Sequence, residues 1–266
     1  MSQRSSPATV IGLTILAGFI AGFLVACFHF VATEQVLQQA INLETAHKLA
    51  IGQFEPEVFT RPEQRVGLFL GYIMYGIGWG SLFGMICWFA FGPARLSEAG
   101  KISWKWFFTL LFICYWTFCL FPQLKYPANP PGVGDGTTID LRQRLYLEGI
   151  ILSILGTALA LLLYYALARL EEQGTISKRI RLLIVLLVYG LYAGIFWFTL
   201  PPYPMTIPLG SMDMVMRFRW LSGIGVAIFW YLLGTIFSIF WQCRWRHLAR
   251  QKSKQQRQRS RPLLVE

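Results

Sequence analysis

The residues of this 266-residue chain best suited to chemistry are a carboxylate and an imidazole one helical turn apart. Glu44 and His47 lie at positions i and i+3 of residues 34–50, a segment whose pattern predicts a helix, so both side chains are expected on one face. Such a pair can share a divalent ion of the cobalt, nickel or zinc type. Two ligands do not complete a site, and a solvated helix face is the simpler explanation of the pair.

The other candidate metal ligands are dispersed along the chain. His29 is near the end of the first apolar segment and would add a third ligand only if the following loop folds back. A histidine inside a membrane more often forms a hydrogen bond within a helix bundle. The remaining candidates are carboxylates beside predicted helices: Glu34, Asp135, Asp140 and Asp213. A cation importer would need these acids to gather at its outer mouth.

Motifs for enzymatic catalysis are not readable in the sequence. The pair Gly100-Lys101 has Arg95 where the first glycine of a phosphate-binding loop must stand. No Ser/His/Asp arrangement and no zinc-protease motif is evident. A lipid-headgroup enzyme using Asp140, Arg142 and Arg144 is the weakest of the functions considered. We therefore expect no enzymatic activity.

Hydrophobic blocks dominate the chain, which is 55% hydrophobic and only 14% charged. A soluble domain carries roughly 25% charged residues, and a helix needs about 20 apolar residues to cross the hydrocarbon core. Continuous apolar blocks favour helices over the alternating strands of a membrane barrel. The sequence predicts an all-α, polytopic transmembrane bundle with six spans and long outer loops. The predicted spans are residues 10–31, 66–91, 104–121, 147–168, 182–200 and 220–243.

Positive charge predicts the orientation of these spans. The side that carries both termini has about twice as many Lys and Arg residues as the other, which places both termini in the cytoplasm. This bias depends on the basic tail, residues 244–266, and a five-span alternative stays open. We expect the tail to form a region separate from the bundle, residues 1–243, and to contact anionic lipid rather than nucleic acid. A bacterial cytoplasmic membrane is the expected location, and a thylakoid-type internal membrane stays open.

Small residues recur every four positions in two of the predicted spans. The first span carries Gly18 and Gly22, and the second carries Gly76, Gly80 and Gly84. In lipid, stripes of small residues let helix backbones approach closely, so they predict interhelical contacts. A pore lining or a helix break at the second stripe is the alternative interpretation.

Two predicted loops resemble each other in sequence, one before the fourth span and one before the sixth. The third loop, residues 122–144, is dense in proline and glycine, which predicts an irregular backbone. Its end has Asp140 and Gln143 at the spacing of a helix cap. Tyr126-Pro127 in this loop corresponds to Tyr203-Pro204 in the fifth loop, and we expect the two loops to meet on the outer face.

Three sequence runs carry a resemblance to a known family. They are EVFTRPEQRVG at residues 57–67, LKYPANPPGVGD at residues 124–135 and DMVMRFR at residues 213–219. The chain resembles the CbtA family, proposed subunits of a cobalt transporter, over most of residues 10–243. The loop positions assigned by this resemblance are Arg61, Gln64, Lys125, Tyr126, Pro127, Asn129, Pro130, Pro131, Gly134, Arg144, Arg217 and Arg219.

The resemblance implies uptake of cobalt or another divalent cation associated with cobalamin synthesis, with no permanently bound cofactor. It also implies a small single-span partner, CbtB, whose tail is rich in histidine. The chain itself has only three histidines, which fits a partner that supplies imidazole ligands. The alternative hypothesis is a non-transporting structural or assembly subunit of a larger membrane complex.

Overall fold

Helix is the only regular secondary structure in the part of the chain that the computed structural model describes, which comprises residues 6–52, 59–97, 103–205, 207–208 and 210–259. An apolar segment in lipid must satisfy its own backbone hydrogen bonds, and a helix does so within one segment. The helices are α1 (Pro7–Ala32), α2 (Glu34–Ala50), α3 (Arg61–Ser97), α4 (Trp104–Tyr115), α5 (Phe121–Lys125), α6 (Ile139–Glu172), α7 (Lys178–Thr199) and α8 (Met212–Arg259).

Six helical segments in the described residues are long and apolar enough to cross a membrane. They are Pro7–Ala32, Arg61–Gly92, Trp104–Lys125, Gly136–Glu172, Lys178–Thr199 and Met212–Gln251. The prediction of an all-α chain with six spans is confirmed. Most of these helices extend past the apolar blocks into polar flanks. The cytoplasmic placement of both termini stays a prediction.

Two of the spans depart from regular α-helix. The α3 segment breaks at Gly92, whose φ of 67° is readily adopted only by glycine. The third span passes from α4 through a π-helical turn, Trp116–Leu120, into α5. Pro122, in the first turn of α5, has no backbone N–H for the Phe118 carbonyl, and this removes one regular helical bond at the junction.

The chain folds as two compact units. Unit 1 comprises Met1–Phe30, Val58–Phe112 and Ala227–Glu266, and unit 2 comprises Val31–Glu57 and Ile113–Val226. Gln53 to Val58, which include two acids of the first predicted outer loop and the start of the first resemblance run, lie outside the described residues.

In unit 1, helices α1 and α3 pack against each other at their glycines. A Cβ added at Gly18 would overlap the carbonyl oxygen of Gly76, and one added at Gly76 would overlap the carbonyl oxygen of Gly18. Gly22 lies in the same way against the Tyr72 carbonyl, and Gly80 against the Thr14 carbonyl. The two backbones therefore approach to a distance that no other residue type allows.

Aromatic rings fill the remaining core of unit 1. Phe107 stacks on Phe237 with ring centroids 5.2 Å apart and meets Phe83 edge-on at 5.7 Å. Trp230 contacts Phe83 at 6.0 Å. These side chains are at most 2% exposed, so α3, α4 and α8 share one apolar core.

Unit 2 is organised around the antiparallel pair of α6 and α7. The connection turns at Gly174, whose φ is 74°, and Ser177 accepts a hydrogen bond from the Ile180 amide to cap α7. Arg181 forms an ion pair with Glu171 at 2.8 Å across this turn. These contacts hold the short connection between α6 and α7 and the first turn of α7.

The predicted helix cap at Asp140 is wrong. Helix α6 begins at Ile139, so Asp140 is its second residue, and Thr138 is the N-cap. The capping carboxylate is Asp135, which accepts from the Thr137 amide at 2.9 Å and begins the short 3₁₀ turn Gly136–Thr138. The capping carboxylate therefore lies five residues before the one that the spacing with Gln143 indicated.

Candidate functional site

The irregular segment between α5 and the 3₁₀ turn, residues 126–135, is the most constrained polar feature of unit 2, and we call it the proline loop. It passes through two left-handed glycines, Gly132 with a φ of 69° and Gly134 with a φ of 97°. A side chain at Gly132 would meet Glu44 of α2, and one at Gly134 would meet the guanidinium of Arg142. The loop can therefore take this path only with glycine at both positions.

Arg142, near the start of α6, holds the end of the proline loop. Its Nη1 donates to the Val133 carbonyl at 3.4 Å and its Nη2 to the Asp135 carbonyl at 3.3 Å. The hydrogen bond from the Thr137 amide lowers the pKa of Asp135 below its ordinary value, and the nearby Arg142 charge adds to this effect. Asp135 is thus an exposed carboxylate that stays ionised at neutral pH.

Arg219 of α8 holds the middle of the loop. Its Nη2 donates to Asn129 Oδ1 at 2.9 Å and its Nε donates to the same oxygen at 3.3 Å. The same Nη2 lies 3.3 Å from the sulfur of Met205. One guanidinium therefore connects the proline loop with residues 200–205, which we call the second loop.

Lys125 and Tyr126 join the start of the proline loop to the end of α7. Lys125 donates to the Trp197 carbonyl at 2.7 Å, one of the last carbonyls of α7, which lack partners within the helix. The Tyr126 hydroxyl donates to the Pro201 carbonyl at 3.0 Å, and its ring lies 5.5 Å from that of Tyr203. The expected meeting of the two loops occurs.

The candidate ligands do not form a compact cluster. Among the described residues, no group of three or more His, Cys, Asp or Glu side chains could hold a metal ion. Glu44 is half-buried against the proline loop and pairs with Lys48 at 3.1 Å, whereas His47 is exposed. Asp140 and Asp213 are exposed second residues of α6 and α8, and Glu34 begins α2.

His29 lies in unit 1 with a different environment from the acids. It is 4% exposed and stacks on Tyr72 with ring centroids 4.9 Å apart. Phe28 meets the same imidazole edge-on at 5.1 Å. These contacts place His29 in an aromatic packing role inside unit 1.

Two further motif positions, Arg61 and Gln64, stabilise the start of α3 in unit 1. Arg61 donates to Gln64 Oε1 at 2.6 Å, and Gln64 donates to the Phe59 carbonyl at 3.0 Å. Glu63 accepts from the Thr60 amide at 2.7 Å, which satisfies one backbone donor ahead of the helix. These contacts account locally for the first resemblance run.

Sequence reasoning missed the role of Arg142 and of the α7 carbonyls. Arg142 entered only the discarded enzymatic hypothesis, and no side-chain pattern marks a carbonyl as an acceptor. Arg144 and Arg217, which the resemblance did assign, are exposed, and Arg144 pairs with Glu148 at 3.6 Å. The signal that could have indicated these contacts is the number of Lys and Arg residues beside a proline-rich segment. Proline lacks a backbone N–H, so carbonyl oxygens in such a segment need donors from side chains.

Replacing Arg219 with lysine should release the proline loop. An ammonium cannot present two N–H groups in the fork geometry that reaches Asn129 and Met205 together. We expect backbone amide exchange in residues 128–135 to accelerate at least tenfold, measured by hydrogen exchange in detergent. Arg217→Lys, two residues away and exposed, is the matched control and should leave exchange unchanged. Equal acceleration in both variants would show that Arg219 does not hold the loop.

Comparison with known proteins gives a family match over most of the chain. The sequence profile of the family described as probable cobalt transporter subunit (CbtA) matches residues 8–242, which include all of unit 2, most of unit 1 and both loops. No curated protein and no solved structure matches the chain. The basic residues from Arg244 onward lie beyond the match. Since the match covers most of the sequence, this chain belongs to the CbtA family.

Proposed function

We propose that this chain is the membrane-embedded subunit of a transporter for cobalt or a similar divalent cation. The observation that carries the proposal is the family match over residues 8–242. Six apolar helices support it, because an ion needs a protein path across about 30 Å of hydrocarbon. No enzymatic step and no permanently bound cofactor belong to the proposal. The membrane is taken to be the bacterial cytoplasmic membrane, with both termini inside.

The proposal includes a second subunit. The word subunit in the family description supports a partner, and a small single-span protein with a histidine-rich tail fits the chemistry. Imidazole is a preferred ligand for cobalt-type ions, and this chain contributes only three histidines. Co-expression should give a complex that co-purifies in detergent and accumulates more cobalt than either chain alone.

We place the first encounter with the cation at the two carboxylates beside the proline loop, Glu44 and Asp135. Glu44 lies against Gly132, and Asp135 remains ionised at the other end of the same loop. Hard and borderline divalent cations are attracted by carboxylates, and a rigid loop keeps such charges in place. Five other side chains remain proposed ligands, although no contact with the proline loop supports them: His47, Glu34, Asp140, Asp213 and His29.

Removing the Glu44 charge tests this placement. Glu44→Gln should lower cobalt accumulation in cells at least fivefold at limiting cobalt, measured by elemental analysis, with membrane expression preserved. His47→Gln should lower it less, because His47 is exposed and outside the loop contact.

Lys48→Met is the matched control, because it breaks the same ion pair but keeps the carboxylate. Accumulation should be unchanged or raised in this variant. If Lys48→Met and Glu44→Gln reduce accumulation equally, the ion pair is structural and the encounter site is wrong. Cobalt accumulation that is identical with and without the chain would favour the alternative, a non-transporting assembly subunit.

A further inference from the structure

The third span contains a backbone carbonyl that its own helix leaves without the regular donor. In the π-helical turn, the Phe121 amide donates to the Trp116 carbonyl, one residue earlier than in an α-helix. The Thr117 carbonyl thereby loses Phe121 as its donor, and the next residue, Pro122, has no amide hydrogen. Inside a membrane, such irregular backbone is tolerated only where protein covers it or where it lines a polar site.

Three hydroxyl groups lie between the third and fourth spans, within unit 2. Thr117 Oγ1 is 2.9 Å from Thr157 Oγ1 of α6. Ser153, one turn before Thr157 on the same face of α6, is 0% exposed, and its hydroxyl has no hydrogen-bond partner among the described residues. Buried hydroxyls are nearly always hydrogen-bonded, so the Ser153 hydroxyl indicates a further binding partner, such as an ion or a water molecule.

The opposite directions of the two helices bring the carbonyl and the Ser153 hydroxyl to one level. Thr117 meets Thr157, and further along the chain Tyr126 packs on Gly149. Ser153 therefore lies at a level between these two contacts. A helix carbonyl points toward the C-terminal end of its helix, so the Thr117 carbonyl points toward the same level.

The spacing along α6 lets the hydroxyls share one ligand. Side chains one turn apart on a helix have Cβ atoms about 5–6 Å apart. The hydroxyls of Ser153 and Thr157 can therefore both reach a single ion that lies between them, with the Thr117 carbonyl as a third oxygen.

The chemistry of these oxygens selects a monovalent metal ion. Serine and threonine hydroxyls and backbone carbonyls are hard, neutral oxygen donors that do not titrate near neutral pH, so they suit neither a soft metal nor a proton. Residues 104–125 contain no acid, and the one acid within residues 141–170, Glu148, pairs with Arg144 at 3.6 Å. The cost of removing an ion from water grows with the square of its charge, so a site without a carboxylate favours one charge over two.

We propose that Thr117, Ser153 and Thr157 bind an alkali cation, sodium or potassium, at what we call the hydroxyl site. In membrane transporters, carbonyls freed where a helix is interrupted are common ligands for sodium. Thr157 is near the middle of the fourth apolar block, so an ion bound here has crossed part of the membrane potential, and its movement can drive that of another solute. The link to cobalt rests on the proposed function, whereas binding of the alkali cation does not.

Equilibrium binding of radioactive sodium to the full chain in nanodiscs tests the hydroxyl site, with radioactive rubidium in place of potassium. One of the two ions should bind saturably, and Ser153→Ala and Thr157→Val should each weaken this binding at least tenfold. Two control variants should change it less than twofold. In Ser238→Ala the lost hydroxyl donates to the Thr235 carbonyl, and in Thr109→Val it belongs to an exposed side chain.

Pro122→Ala tests the carbonyl separately from the hydroxyls. The new amide either bonds to the Thr117 carbonyl or returns the turn to α-helix, in which the Phe121 amide does so. Binding of the cation should weaken in both cases, although every hydroxyl remains. Unchanged binding in Pro122→Ala would remove the carbonyl from the site and overturn the proposed ligand set.

The melting temperature of the chain should rise more in the chloride of the bound cation than in choline chloride at equal ionic strength, since a ligand stabilises the fold that binds it. No saturable binding of either ion, with equal melting temperatures in these salts, would show that Ser153 meets water and would overturn the proposal. Displacement of the bound ion by cobalt at a lower concentration than by sodium or potassium would also overturn it. The binding and melting measurements involve no cobalt flux, so failure of the hydroxyl site and failure of the transport proposal are distinguishable.

Discussion

Replacing Gly76 with alanine should destabilise unit 1 by about 2 kcal/mol or more, because a methyl group there cannot be accommodated without moving a backbone. The added Cβ would overlap the Gly18 carbonyl oxygen and crowd the Gly22 Cα at 3.2 Å. Neither atom belongs to a flexible side chain, so α1 and α3 must separate along their contact. The free energy of unfolding, measured by detergent titration in bicelles, checks this expectation.

Gly78→Ala is the matched control for Gly76→Ala. It is on the same helix two residues later, and nothing lies within 4 Å of its added Cβ. We expect a change within about 0.5 kcal/mol, since substitutions away from tight contacts have small effects. Alanine is the better helix former, so helix propensity would not produce a loss at either position. A loss at Gly78 as large as that at Gly76 would therefore show that the α1–α3 contact does not account for the effect at Gly76.

Replacing Tyr126 with alanine should give the largest loss in unit 2, about 3–5 kcal/mol, as for other large buried aromatic residues. The side chain is 1% exposed, packs on Gly149 of α6 and donates to the Pro201 carbonyl. Burial raises the pKa of Tyr126, so its hydroxyl remains a donor at physiological pH. Unfolding by detergent titration measures the loss, and hydrogen exchange should show both loops opening together.

Two further variants resolve the Tyr126 effect into its parts. Tyr126→Phe keeps the ring and removes only the hydrogen bond, which should cost about 1 kcal/mol. Tyr165→Ala, at a tyrosine of α6 that is 69% exposed, should have little effect. If Tyr126→Phe lowers the free energy of unfolding as much as Tyr126→Ala does, the hydrogen bond contributes more than the packing. If Tyr126→Ala leaves the free energy of unfolding unchanged, other contacts hold the two loops.

The proline loop is held in place by three cationic side chains. Lys125, Arg142 and Arg219 donate to oxygens of the loop or of α7, so three cations are engaged in positioning the backbone. The carboxylate of Glu44 lies against Gly132 and pairs with Lys48, and that of Asp135 is exposed.

The helical class, the number of apolar spans and the positions of the glycine stripes follow from the sequence itself. The length of an apolar segment, its continuous hydrophobicity and the four-residue spacing of its glycines can all be read locally. In lipid, a continuous apolar segment of this length can only be a helix. The same holds for the irregular proline loop, because Pro127, Pro130 and Pro131 exclude a regular helix there.

Only the tertiary structure decided which side chains meet. Arg219 and Asn129 are 90 residues apart, and Lys125 and the Trp197 carbonyl are 72 apart, and no local pattern links such partners. The failed cap at Asp140 has a different, local cause: the carboxylate of Asp135 caps the short turn that precedes α6, and two acids at suitable positions competed in the sequence. Backbone carbonyls and left-handed glycines determine the loop geometry, and their partners exist only once the chain has folded.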